Sequence, residues 1–415
     1  MTRRTRSVDV PSRIGLALAG GGPQGAIWEI GALRALEEAL EGVDLNQLHA
    51  YVGVSAGAFL AANLANDLNT AQMCRAIVKH EPGEHPFVSE QFFKPRYREL
   101  SKRAAKLPGL LAEALVDFAR DPVDKSLFDS LTRLGRALPV AFFDNEPMRD
   151  YLHRIYTMKG RSDDFRKLAR QLIIVAADLD SGRAVRFGEG EFADVPISTA
   201  VQASAAIPGL YPPVEIGGRH YVDGALLKTM HASVALEAGA DLILCFNPLV
   251  PVDTAQAVAQ GVMRSDKLMD RGLPTVLAQA LRTLIRSRLK AGMAIYDKTF
   301  PDADVVLIEP NRDDYAMFFT NVFSFSSRRK TCEHAYQSTR RNLLARYKEL
   351  APIFERHGAT LRRDVLADTR LGLWKGVGLP NEDPGWGPTT ELGEAVSQLD
   401  GLLNRLETYV ETESA

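Results

Sequence analysis

The sequence has few cysteines, no long apolar run and no excess of charge of either sign. Its three cysteines, Cys74, Cys245 and Cys332, lie far apart and form no Cys-x-x-Cys pair. This excludes a disulfide scaffold and argues against a cysteine zinc site. No apolar run approaches the roughly 20 residues that span a bilayer. Lysine and arginine number 50 against 52 aspartates and glutamates, which argues against a dedicated nucleic-acid binder.

The composition is that of an ordinary globular protein. The 415 residues are 46% hydrophobic and 25% charged, enough for a large core in one or two domains. A basic N-terminal arm, residues 1–13, precedes the apolar residues 14–19, and together they resemble a signal peptide. Because the apolar part is shorter than the roughly 7–15 residues of such signals, we interpret it as a strand. We expect a cytoplasmic protein, with peripheral membrane contact as a further option.

Short apolar runs alternate with helical patterns along much of the chain. Residues 14–19 and 51–54 are predicted strands, followed by helical patterns at 26–38 and 56–68. This alternation predicts an α/β fold with a mainly parallel sheet. Further strands are predicted at 172–177, 184–187, 220–222, 241–246 and 303–308, and mostly helical stretches at 254–298 and 327–356.

Two regions depart from this alternation. Residues 81–170 are charged, rich in proline and mostly helical in pattern, which predicts a helical cap inserted into a catalytic domain at 14–350. Residues 351–415 are a predicted C-terminal extension, with a Gly- and Pro-rich linker at 375–389. Apolar residues at heptad spacing then predict a terminal helix, which either docks on its own domain or forms a homo-oligomer contact.

The pentapeptide Gly53-Val54-Ser55-Ala56-Gly57 lies where a predicted strand becomes a helix. That is the context of the G-x-S-x-G nucleophile elbow. Gly53 and Gly57 let the chain turn sharply, so the Ser55 hydroxyl projects as a candidate nucleophile. The amide of Ala56, at the helix start, can point at a developing oxyanion.

A second glycine motif, Gly20–Gly25 (GGGPQG), follows the first predicted strand. As G-x-G-x-x-G it could be the dinucleotide fingerprint of an oxidoreductase, which requires an acidic residue at the end of the second strand. That strand ends in Ser55 instead. The alternative is an oxyanion hole facing Ser55, since loops after neighbouring parallel strands emerge at the same edge. Pro23 has no amide hydrogen, so the donors would be Gly21 and Gly22.

A nucleophilic serine needs a base. None of the eight histidines lies in a motif that nominates it. Asp223, followed by Gly224, comes directly after a predicted strand, but most Asp-Gly pairs are turns. Asp178 and Asp180 are also predicted to form a turn rather than a metal pair. The residues alone therefore leave the base open.

The three motifs, in this order and context, resemble the patatin-like phospholipase family, as does the segment Ala203–Pro213 (ASAAIPGLYPP). The resemblance covers about residues 13–250. It implies a three-layer α/β fold around a mainly parallel sheet, with a helical insertion, a helical C-terminal extension, and no cofactor or metal. It also implies a Ser-Asp dyad without histidine: Ser55 as nucleophile, Asp223 as base, and the glycine loop, with Gly20 and Gly25 in support, as oxyanion hole.

Three positions beside the dyad carry further expectations. A side chain at Gly224 could crowd the approach of Asp223 to Ser55. Ser204 is expected to pack near the site rather than act as a second nucleophile. The family's glycine loop has a basic residue where this sequence has Gln24, beside Pro23. A cation there could hold a lipid phosphate, so we predict that Gln24→Arg raises activity on phospholipid relative to neutral ester.

The resemblance implies a serine acyl hydrolase that cleaves lipid esters, of the phospholipase A or lysophospholipase type. A neutral-ester lipase or an acyltransferase could use the same dyad, and a catalytically silent membrane-associated scaffold is an alternative of another class. The expected partner is a lipid or lipid-like ester, with no nucleic acid. Residues 92–106, basic and aromatic, and the aromatic run 318–325 are candidates for membrane contact, or pack their aromatic rings inward.

Overall fold

Residues 11–78, 94–96, 101, 139–259, 268–311 and 325–379 are described by the computed structural model. The chain divides into two compact units, Met1–Leu373 and Trp374–Ala415, and the site lies in the first. Residues 380–415, with most of the predicted linker and all of the terminal helix, lie outside the described residues. So do most of the cap and of the two candidate membrane segments, 92–106 and 318–325.

A mainly parallel sheet forms the centre of the first unit. The strands of the described residues are β1 (Ile14–Leu18), β2 (Leu40–Glu41), β3 (Ala50–Val54), β4 (Lys94–Pro95), β5 (Phe143–Asp144), β6 (Gln171–Asp178), β7 (Ala184–Phe187), β8 (Val214–Ile216), β9 (Arg219–Asp223), β10 (Leu242–Phe246), β11 (Asp304–Ile308) and β12 (Thr360–Leu361). The sheet order is β11-β10-β1-β3-β6-β9-β8, with β7 also paired to β6. The strands from β11 to β6 are parallel, and β7, β8 and β9 run antiparallel to their neighbours.

Helices surround this sheet. They are α1 (Gly22–Ala39), α2 (Ala56–Ala65), α3 (Thr70–Met73), α4 (Glu146–Tyr156), α5 (Ile197–Ser204), α6 (Ala232–Glu237), α7 (Thr254–Ala259), α8 (Leu273–Thr299), α9 (Phe325–Ala345), α10 (Tyr347–Arg356), α11 (Arg363–Ala367) and α12 (Leu373–Gly376). Every residue of β1, β3 and β10 is buried, as in parallel sheets covered on both faces.

The two faces of the sheet pack against different helices. Ala17, Val52 and Val175 share one face with residues of α6 and α8 in a single buried apolar cluster. The other face lies against α2, which contacts β1 and β3. Helix α1 packs on α2 and α9. This three-layer arrangement confirms the predicted fold class.

The predicted elements match the observed ones with a few differences. The seven predicted strands of the sheet are all present, but β8 was not predicted, because it is only three residues long. Helix α1 begins at Gly22 rather than at Ala26. Since proline suits the first turn of a helix, the second half of the glycine motif is helical rather than a loop. The Asp178 side chain accepts hydrogen bonds from the Asp180 and Ser181 amides, which confirms its predicted role in the β6–β7 turn.

Candidate active site

Ser55 lies in a strained turn between β3 and α2. Its backbone has φ 53° and ψ −121°, a conformation that residues other than glycine rarely adopt. A methyl group on Gly53 would lie 2.5 Å from Ala58 Cα, and one on Gly57 would collide with the Leu18 carbonyl. The two glycines therefore let α2 start directly against β1 and β3. The turn has the geometry of a nucleophile elbow.

Asp223, at the end of β9, completes a pair with Ser55. The Ser55 hydroxyl lies close enough to the Asp223 carboxyl to lower its pKa, although 168 positions separate the two residues in the sequence (223 − 55). They meet over β6, where Val54 pairs with Val175 and Asp223 pairs with Ala176. Adjacent residues of one strand thus set the spacing of the two groups.

The environment of Asp223 suits a base. Only 3% of this residue is exposed, and burial raises the pKa of its carboxyl to about 6. The hydrogen bonds from Ser55 and from the Ala225 amide, 2.8 Å from Asp223 Oδ1, act in the opposite direction. The group is therefore mostly a carboxylate at neutral pH, yet basic enough to accept a proton from the serine it touches.

Gly224 is required by its contact with β6. A methyl group there would collide with the Val175 carbonyl oxygen and lie 3.2 Å from Val54 Cγ1. The predicted need for a small residue holds, but the reason differs from the one expected. The crowding is against the backbone of the neighbouring strand and not between Asp223 and Ser55.

Three backbone amides are candidate donors to an oxyanion. Gly20 is not one of them, because its amide donates to the Thr229 carbonyl at 3.1 Å. In the described part of the chain the amides of Gly21, Gly22 and Ala56 have no hydrogen-bond acceptor. Gly22 and Ala56 begin helices α1 and α2, and helix N-termini attract negative charge.

The glycine loop touches the nucleophile. A methyl group on Gly20 would lie 3.1 Å from Ser55 Cβ. On its other side the loop is supported by Pro248, which lies 2.5 Å from a methyl group built on Gly21 and 2.9 Å from one on Gly25. Sequence reasoning missed Pro248, which follows β10, the neighbour of β1 in the sheet. A proline soon after a predicted parallel strand was the available signal.

Gln24 and Pro23 lie in the first turn of α1. Gln24 Nε2 is buried and has no hydrogen-bond partner among the described residues. Neither residue is hydrogen-bonded to Ser55 or Asp223. The structure therefore brings the glycine amides to the dyad but does not connect the position of the family's basic residue to it.

A histidine lies near the site without joining the pair. His231 is buried, and burial, together with the charges of Lys228 and Arg186, lowers its pKa to about 3. It is therefore neutral at physiological pH. Among the histidines that the structure describes, none is hydrogen-bonded to Ser55 or Asp223.

The described residues contain neither a candidate metal site nor a candidate membrane span. No three His, Cys, Asp or Glu side chains in this part of the chain lie close enough together to hold a metal ion. No helix there combines the length and hydropathy that a membrane span requires.

The model of the patatin-like phospholipase family matches residues 16–236, more than half of the chain, including Ser55, Asp223 and the glycine loop. The chain belongs to the patatin-like phospholipase family. This confirms the predicted family.

Curated relatives match a shorter stretch. Uncharacterized NTE family proteins of Mycobacterium bovis and Mycobacterium tuberculosis are each 32% identical over 113 residues, 27% of this chain and 26% of the relative. The matched part thus spans about a quarter of the length of these relatives.

Solved structures that resemble this chain do so distantly. VipD from Legionella pneumophila is 16% identical and the match covers 81% of this chain and 67% of VipD, with a TM-score of 0.37. ExoU of Pseudomonas aeruginosa is 16% identical, and the match covers 81% of this chain and 53% of ExoU, with a TM-score of 0.34. Human GIVD cytosolic phospholipase A2 is 16% identical, and the match covers 61% of this chain and 44% of the phospholipase, with a TM-score of 0.25.

Proposed function

We propose that this chain hydrolyses carboxylic esters of lipids, with Ser55 as nucleophile and Asp223 as general base. The observation that carries the proposal is the position of Ser55 and the buried Asp223 side by side on β6, where the Ser55 hydroxyl lowers the pKa of the Asp223 carboxyl. Burial makes that carboxylate more basic than an aspartate in water. The strained elbow and the three free amides beside it supply the remaining parts of an acyl-transfer site.

The reaction follows from this geometry. Asp223 accepts the Ser55 proton as Ser55 Oγ attacks the ester carbonyl. The amides of Gly21, Gly22 and Ala56 stabilise the tetrahedral oxyanion, at about 3 kcal/mol for each well-placed donor. The intermediate then expels the alcohol, which takes the proton from Asp223, and leaves an acyl-serine. Water then attacks the acyl-serine as Asp223 takes its proton, Ser55 Oγ leaves and regains that proton from Asp223, and the fatty acid is released.

The substrate we propose is a phospholipid or lysophospholipid, as the family membership suggests. A neutral ester is the alternative, since Gln24 offers an amide where the family has a cation. Acyl transfer to an alcohol is the other alternative, because an acyl-serine can react with an acceptor besides water.

Fatty-acid release from phosphatidylcholine vesicles and from a neutral ester of the same chain tests these proposals. Ser55→Ala and Asp223→Ala are assayed beside the wild type, with and without an added alcohol acceptor. Loss of phospholipid release in both variants supports the phospholipase, and release from the neutral ester alone supports the lipase. A fluorophosphonate that fails to label the folded wild type would favour the silent scaffold.

We also propose that an apolar stripe on α8 meets the lipid surface. Leu273, Leu277, Leu281 and Leu284 recur at helical spacing on one face, and Leu273 and Leu277 are 69% and 58% exposed. A groove of about 780 Å³ beside them is lined by Met269, Val276 and Thr283, among others. Apolar patches of this kind mark interaction surfaces.

The position and charge of α8 favour a lipid surface as the occupant. Arg288 continues the face of the stripe and donates to the Leu226 and Leu227 carbonyls at 3.0 and 3.3 Å, just after Asp223. The stripe therefore leads toward the catalytic turn. Arg286 of this helix is paired with Glu309 at 2.5 Å, whereas Arg288, Lys290 and Lys298 are exposed. These exposed cations favour anionic lipid.

Co-sedimentation with phosphatidylglycerol vesicles tests the stripe. The double variant Leu277→Glu, Leu281→Glu should lose vesicle binding and vesicle hydrolysis but keep activity on a water-soluble ester. Leu179→Glu changes an exposed leucine in the β6–β7 turn and serves as the matched control. Equal vesicle binding by the double variant and the wild type would contradict the assignment.

A further inference from the structure

Helix α5 ends against the dyad. Its last residue, Ser204, is fully buried and makes two hydrogen bonds with its hydroxyl. Ser204 Oγ accepts from the Ser55 amide at 2.8 Å and donates to the Val175 carbonyl at 2.6 Å. The side chain thus links the nucleophile's own backbone to the strand on which the dyad is assembled.

The same segment also holds the other member of the dyad. The carbonyl of Ala206, two residues after Ser204, accepts a hydrogen bond from the Asp223 amide at 3.0 Å. Ser204 and Ala206 therefore bind the backbones of Ser55 and Asp223, respectively. A short stretch of chain therefore bridges the backbones of the two residues.

Ser55 needs such a partner because of its conformation. At φ 53° its amide leaves the hydrogen-bond ladder of β3, and the residue is 3% exposed, so water is not a ready substitute. A buried amide without an acceptor is unfavourable. Strained backbone of this kind persists only where its surroundings hold it.

We propose that Ser204 is a positioning residue that holds Ser55 in its strained turn, so that Ser55 Oγ stays within reach of Asp223. The inference rests on the proposed Ser55–Asp223 chemistry. Ser204 is not a second nucleophile, because its proton is committed to Val175 and its oxygen accepts from Ser55. Its hydroxyl touches neither the Asp223 carboxyl nor the amides of the oxyanion hole.

Ser204→Ala is the direct test, with a soluble p-nitrophenyl ester as substrate. The hydroxyl's loss leaves the Ser55 amide unpaired, and we expect kcat to fall about tenfold or more. KM should change less than about twofold, because substrate does not touch Ser204. The pH midpoint should stay where it is, because Ser204 does not contact Asp223. The rate of fluorophosphonate labelling at Ser55 should fall in parallel with kcat.

The same helix supplies a matched control. Ser198 is also buried, and its hydroxyl donates to Asp163 Oδ2 at 2.8 Å. Ser198→Ala removes a buried serine hydrogen bond from α5 without touching the dyad, so we expect wild-type kcat. An equal fall of kcat in both variants would show that loosening the helix suffices, and would overturn the positioning role.

Restoring a hydrogen-bonding group gives the second measurement. Ser204→Thr keeps the hydroxyl and should recover most of kcat, and Ser204→Cys, which keeps weaker hydrogen bonding in a similar volume, should fall between wild type and Ser204→Ala. The cysteine variant decides the question if the alanine or threonine variant does not fold. Wild-type kcat in Ser204→Ala or Ser204→Cys would overturn the inference. Failure of the wild type to label at Ser55 would instead overturn the proposed function.

Discussion

Two buried carboxyl groups lie against the backbone of the site, and they differ in what they touch. Asp223 ends β9, and Glu29 lies in the middle of α1. Burial raises the pKa of both. Asp223 accepts from the Ala225 amide, and the Ser55 hydroxyl beside it lowers its pKa. Glu29 accepts from the Ala19 amide, and its Oε2 has no partner among the described residues.

The difference shows how one chemical group can serve two purposes. Hydrogen bonds to its charged form hold the pKa of Asp223 to about 6, so the group is ionised at neutral pH. Burial outweighs the single bond to Glu29 and raises its pKa well above the ordinary value, which favours the neutral acid. Glu29 thus supports the end of β1, directly before the glycine loop, while Asp223 can exchange protons with Ser55.

The largest difference between the two should appear in catalysis. Asp223→Asn removes the proton acceptor but keeps the size and a hydrogen-bonding oxygen, and we expect kcat to fall about 10²–10⁴-fold. Steady-state hydrolysis of a soluble ester measures this. A variant that retains more than a tenth of wild-type activity would mean that another group accepts the serine proton.

The same substitution should stabilise the fold at high pH. Raising the pKa of Asp223 from its ordinary 3.8 to about 6 costs about 3 kcal/mol for the ionised form. The folded protein therefore keeps this free energy of unfolding below pH 3.8, where the carboxyl is neutral, and loses it as pH rises through 6. Asparagine is neutral throughout, so urea unfolding should show Asp223→Asn more stable than wild type at pH 8, with the gap closing by pH 4. A constant gap would contradict the burial argument.

The sequence predicted most of the site because its parts are local. Glycine spacing beside apolar runs indicates both the elbow at Ser55 and the loop at Gly20. Asp223 was different: an Asp-Gly pair is an ordinary turn, and only the family resemblance nominated it. What joins it to Ser55 is the register of β3 and β9 on β6, which no local pattern contains.

What sequence reasoning missed are contacts between distant segments. Pro248 supports the glycine loop from a stretch with no motif of its own. Ser204 was expected to pack near the site, but no sequence pattern predicted its hydrogen bond with the Ser55 amide. The start of α1 at Gly22 was missed because glycine and proline usually interrupt helices, whereas at a first turn they are tolerated. The sequence also could not predict which of the two carboxyls, Asp223 or Glu29, has the higher pKa, since both values depend on burial.

The pH dependence of activity should also distinguish Asp223 from Glu29. Because Asp223 must be ionised to accept a proton, kcat/KM should rise with pH through a midpoint near 6 and lie about tenfold below its plateau at pH 5. An uncharged soluble ester avoids titration of the substrate. A midpoint near 4 would show that burial does not shift Asp223.

The smallest effect should come from Glu29→Gln. The neutral amide keeps an oxygen for the Ala19 amide, and Glu29 has no hydrogen bond to Ser55 or Asp223, so we expect kcat within about threefold of wild type and an unchanged pH midpoint. A large fall of kcat with a shifted midpoint would mean that the Glu29 proton takes part in the titration of the dyad. The contrast between the two carboxyls would then fail. Asp223 and Glu29 would share one titrating proton, instead of Asp223 acting as the base and Glu29 supporting the end of β1.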